Sequence, residues 1–141
     1  MYPLGVDCVW IAVDQDGMLG VFLTAGEGAI PLNAIQSTII ELAQLEKEIL
    51  QLPITSLASL QTSVPRPDDF IAFAERGFFV YDYSSLYNYE LVCLPKTPLY
   101  IQQLPNTYAN FLQHLILKNA LYKNTIILNI KSEFNEIELP H

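Results

Sequence analysis

Hydrophobic and polar positions along this chain alternate between two periods, and the change of period marks its elements. Residues 6–13 are almost unbroken apolar sequence rich in β-branched and aromatic side chains, the pattern of a strand covered on both faces. Asp14-Gln15-Asp16-Gly17 interrupts it as a turn. Asp opens turns through side-chain bonds to nearby backbone, and Gly17 can take the positive φ that closes a hairpin. Residues 18–24 return as a second strand, in which Gly20 marks a bulge or a close backbone approach. A corner containing Gly26 and Gly28 then leads to a helix predicted over 32–52. Asn33 caps it, Ile35, Ile39, Leu42, Leu45 and Ile49 form its apolar stripe, and Pro53 ends it.

Residues 54–67 read as a connector, Ser- and Thr-rich and made extended by Pro65 and Pro67. A short helix over 69–76 follows, closed by Gly77. Strands over 78–83 and 89–94 then form a second hairpin, placing Phe79, Tyr81 and Tyr83 on one face and Phe78, Val80 and Asp82 on the other. Prolines 95, 98 and 105 bracket an edge strand over 99–104. A last helix spans 107–122 with Tyr108, Phe111, Leu112 and Leu115 inward, a strand closes over 124–130, and the polar tail 131–141 is expected to be mobile.

These elements describe a single α+β domain over 1–141: a mostly antiparallel sheet of about five to six strands, an opening hairpin, and about three helices packed on the sheet. Composition supports it, since 51% hydrophobic and only 16% charged residues exclude a disordered chain. No signal-peptide pattern and no membrane-length apolar run is visible, so the expected location is cytoplasmic, where Cys8 and Cys93 would be buried free thiols. A net charge of −8 argues against nucleic-acid and anionic-membrane partners and favours a basic one.

Motifs with a defined mechanism fail when tested. With Gly17 as the sixth residue of a calcium loop, Ala12 and Leu23 would occupy the first and twelfth positions, and neither side chain can ligate. The Gly26-Glu27-Gly28 corner lacks the lysine of a Walker loop and carries a carboxylate that would repel phosphate. His114, the one histidine in the body of the chain, cannot make a multi-histidine metal site, and no electropositive surroundings activate a thiol beside it. No cofactor and no metal is therefore expected. The candidate interaction residues are Asp14, Asp16, Glu27 and Asp82, which could meet at one rim of the sheet, with Tyr83 and Tyr87 from a tyrosine-rich third of the chain.

Two blocks carry a resemblance. Val9, Trp10, Ala12, Asp14, Asp16 and Gly17, then Phe22, Thr24, Gly26, Gly28 and Pro31, match an opening V-W-x-A-x-D-x-D-G and an F-x-T-x-G-x-G-x-x-P corner. Tyr81, Asp82 and the 89–92 run match a later Y-D-W and Y-E-L-V, with Tyr83 where tryptophan is usual. Together the blocks, about a third of the chain, resemble a group of small, largely uncharacterised bacterial cytosolic proteins. By analogy of size and acidity alone, such proteins are similar in kind to immunity proteins of bacterial toxin systems. The expectation is a binding protein without catalysis that takes a basic protein partner. The alternatives are a small-molecule or metal-dependent enzyme using the carboxylates of the hairpin turn and Asp82, or a self-associating structural protein that dimerises through its tyrosine strands.

Overall fold

The computed structural model describes residues 2–3 and 7–140, so the expectations for Val6 and His141 fall outside the described residues. The opening hairpin forms as expected: β1 (Val9–Val13) and β2 (Leu19–Leu23) pair antiparallel in unbroken register, every residue of both buried. Gly20 is therefore no bulge but a close approach. A Cβ there would stand 2.6 Å from Tyr122 Oη.

The chain then leaves the sheet. β3 (Ile30–Pro31) leads into α1 (Leu32–Ile35), and α2 (Leu42–Leu50) follows, so the single helix expected over 32–52 is two. Between them Ser37, Thr38, Ile39 and Ile40 are poor helix formers, and Ser37 Oγ accepts the Ile39 N–H, a local bond that competes with helix. Asn33 caps nothing; its Nδ2 donates to the His114 carbonyl. In the expected connector, β4 (Ala58–Leu60) adds to the sheet. After α3 (Asp68–Ala74), Gly77 takes φ +97°. The chain then re-enters as β5 (Phe79–Ser85) and β6 (Asn88–Pro95), the second hairpin.

The main sheet runs β1-β2-β5-β6-β4, with β7 (Ile127–Asn129) also on β6. It is mixed: β2 and β5 run parallel while the other pairs are antiparallel. The parallel pair follows from the long helical excursion between its strands, because only a long crossover returns a chain in the same direction.

One row of rings ties three strands together. Trp10, Phe22 and Tyr81 are register partners on β1, β2 and β5; Trp10 and Phe22 stack at 4.0 Å, and Phe22 and Tyr81 at 5.3 Å. Tyr122 packs onto Phe22, Phe79 and Tyr81, while Phe134 meets the Trp10 edge at 6.0 Å. The other side chains of β1 and β2, and those of Phe79 and Val80 in β5, are buried too, with α2 packed on β1 and α3 on β4, β5 and β6.

The C-terminal third departs most from expectation. The helix α4 (Asn106–Phe111) passes into a single 3₁₀ turn and stops. Leu115 to Leu117 instead lie along β1, the Val13 N–H donating to the Leu115 carbonyl and the Leu117 N–H to the Val13 carbonyl. The expected edge strand over 99–104 is one bridge, Tyr100 to Met18, followed by a 3₁₀ turn. The tail is held, not mobile, over its described residues. Glu133 and Phe134 are buried, and β8 (Ile137–Glu138) pairs with β3.

Candidate functional site

Asp14 does not face a rim. It is 2% exposed; its Oδ1 accepts the N–H groups of Asp16 and Met18 at 3.0 and 2.9 Å, and its Oδ2 accepts the Tyr122 N–H at 3.0 Å. A carboxylate holding three backbone donors fastens the hairpin turn to the C-terminal segment. Asp16 beside it is exposed and pairs with Lys123 at 3.4 Å.

The corner after β2 is organised by Thr24. Its hydroxyl donates to the Cys8 carbonyl and accepts the N–H groups of Cys8 and Gly26. Ala25 and Gly26 take φ +53° and +73°, and Glu27 projects into solvent. Gly28 is small for a reason of packing: a Cβ there would lie 2.7 Å from Tyr89 Cζ. The G-x-G is thus a corner built around Tyr89, whose hydroxyl accepts from Trp10 Nε1 and donates to the Ala29 carbonyl.

Tyr81 and Tyr89 are fully buried and belong to the core. Tyr83 is half-buried, its hydroxyl accepting the Leu86 N–H. Tyr87 lies under Lys131, 5.0 Å from ring centroid to Nζ. Asp82, half-buried in β5 opposite Glu90, has its carboxyl pushed above the ordinary range by burial and then by Asp7, against a lowering bond from the Tyr83 backbone.

Asp14, Asp16, Glu27 and Asp82 therefore do not form one constellation. Other carboxylates act on Asp82 and on one another instead. Asp7, exposed before β1, acts on Asp82 and also on Glu46 of α2. Burial, then Asp69 of α3, then Asp7 raise the Glu46 carboxyl. Among the described residues no lysine, arginine or histidine pairs with any of these four carboxylates. Sequence reasoning passed over Asp7, Glu46 and Asp69 because they come from segments that meet only when α2 and α3 pack over the sheet.

Among the described residues, clefts of about 190–490 Å³ open on the surface; five of them are lined by none of Asp14, Asp16, Glu27 and Asp82. One of about 360 Å³ lies between α2 and the start of α4, lined by Ile39, Ile40, Glu41, Gln44 and Glu48 on one side and Pro105, Thr107 and Tyr108 on the other. Among the described residues, no three or more His, Cys, Asp or Glu side chains are arranged to hold a metal ion.

Cys8 and Cys93 are free and buried, one at the corner and the other in β6. Burial first, then Asp7 and Glu46, push the Cys8 thiol up despite its contact with Thr24; burial and Glu75 do the same to Cys93 against a Leu94 backbone bond. Both are thus poor in thiolate at mildly alkaline pH. A disulfide-exchange reagent should modify neither faster than the native protein unfolds; stoichiometric reaction within the mixing time would show that a thiol is accessible.

No helix among the described residues is long and apolar enough to cross a membrane. No protein-family model, curated protein or solved structure matches the chain.

Proposed function

We propose that this chain is a non-catalytic binding protein that docks a basic protein partner, in the manner of an immunity protein, in the bacterial cytosol that the resemblance implies. The observation that carries the reading is that Asp7, Glu46, Asp69 and Asp82, which act electrostatically on one another from separate segments, form no salt bridge among the described residues. Like charges acting on one another, with the Glu46 and Asp82 carboxyls partly desolvated, cost stability that a cationic partner would return. The net charge of −8 adds long-range steering toward such a partner.

The sign of the pH dependence follows from the raised carboxyls. A carboxyl whose proton affinity is higher folded than unfolded makes the folded chain the better proton binder between the two pKa values, so stability climbs as pH falls through the raised value. Asp82→Asn should stabilise the protein at neutral pH by roughly 0.5 kcal/mol and flatten that rise. Equilibrium unfolding at several pH values measures both.

Binding to poly-lysine at low salt tests the docking face. Glu46→Gln should weaken it several-fold, whereas Glu136→Gln, an equal loss of charge on another exposed carboxylate, should weaken it by less than about twofold. Equal effects of the two variants would reduce the attraction to net charge and remove the face.

A further inference from the structure

Tyr108 is 5% exposed, and its hydroxyl is the buried side-chain oxygen that has no hydrogen-bond partner among the described residues. A buried hydroxyl without a partner is a rare and unfavourable arrangement, and it occurs here in the wall of the 360 Å³ cleft between α2 and α4. The opposite wall presents Glu41, Gln44 and Glu48 as exposed side chains of one flank of α2 and its N-cap. Leu45 and Ile49 of the same helix point into the core, which fixes that flank toward Tyr108. Ile39, Ile40 and Pro105 supply apolar surface. Among the described residues, no basic side chain lines the cleft.

We propose that this cleft is a binding site for a primary alkylammonium group, presented by a lysine side chain of the basic partner. The inference rests on the docking reading above and gives it a specific socket. An ammonium has donors and no acceptors, which fits two carboxylates and a phenolic oxygen. Glu41 and Glu48 accept from it and the Tyr108 oxygen accepts a third bond, which gives the orphaned hydroxyl a partner. Burial and then Glu48 push the Tyr108 phenol up to about 12, which keeps its proton in place at neutral pH. The methylene stem lies against Ile39, Ile40 and Pro105, as lysine stems do on apolar surface. A cleft of this size falls within the range of small-ligand sites and exceeds what one side chain needs, leaving room for the backbone that carries it.

The test uses small probes and needs no partner. Nα-acetyl-lysine-N-methylamide, n-butylammonium and n-butanol are titrated into the intact chain while the NMR signals of Tyr108 and of α2 are followed. Both amines should shift the Tyr108 ring and Glu48 signals saturably, and n-butanol should not. Glu48→Gln should weaken amine binding about tenfold or more. Tyr108→Phe should weaken it about fivefold and, by removing an unpaired hydroxyl, raise the melting temperature of the free protein. Tighter binding of the blocked lysine than of butylammonium supports a peptide-borne group. The reverse order overturns the lysine assignment in favour of a free amine. Saturation by n-butanol equal to the amines, amine shifts confined to Glu46 and Asp82, or a lower melting temperature for Tyr108→Phe each overturns the site. Loss of poly-lysine binding in Glu46→Gln with no amine response at Tyr108 would leave the docking face standing and this socket refuted.

Discussion

Asp14→Ala should be among the most destabilising single substitutions in this chain, lowering unfolding free energy by about 3–5 kcal/mol. The carboxylate is buried and accepts backbone N–H groups from Asp16, Met18 and Tyr122, the last 108 positions away. Removing it leaves those donors without partners, the Met18 and Tyr122 N–H groups in a closed interior. Asn separates the two halves of the role. Its carbonyl can still serve Asp16 and Met18, but its amide would direct N–H against the Tyr122 N–H, so Asp14→Asn should recover only part of the loss. Urea unfolding checks both. An Asp14→Ala cost near 1 kcal/mol would mean that solvent reaches the turn and that the clamp between hairpin and C-terminal segment is weak.

Gly28→Ala should cost about 2–3 kcal/mol by overpacking against Tyr89. The ring cannot retreat, because its hydroxyl is bonded to Trp10 Nε1 and to the Ala29 carbonyl and its edge meets Trp10 and Phe22. Tyr89→Phe removes the oxygen nearest the added methyl while keeping the ring. The double variant should therefore lose less than the sum of the singles, a coupling a double-mutant cycle reads directly. Additive losses would place the strain in the corner backbone and not at the ring.

Both effects concern residues that look like ligand chemistry in one dimension. Asp14 belongs to an acidic turn resembling part of a calcium loop, and Gly28 to a fragment of a phosphate-binding pattern. The calcium test on Ala12 and Leu23 and the missing lysine were legible in the residues, and they already pointed to turn and corner. That Asp14 also reaches Tyr122, and that Gly28 yields to Tyr89, was not legible, because both partners are far away in the chain.

Local pattern determined the elements whose stability is local. An apolar run and turn chemistry specified the β1–β2 hairpin, and β-rich runs close in sequence specified the strands of the β5–β6 hairpin, because the strands that pair are neighbours in the chain. The end of α3 at Gly77 follows equally from a residue's own backbone freedom. Tertiary structure decided the rest. The helical period continued through 112–122, yet the backbone donors and acceptors of β1 drew Leu115 to Leu117 into extended pairing, and Glu133 took the Asn119 and Ala120 N–H groups that a helix would have used. The same holds for the interacting carboxylates and for the Tyr108 cleft. Their members lie on segments that carry no signal of one another, since hydrophobic periodicity says which face of an element is buried but not which other element buries it.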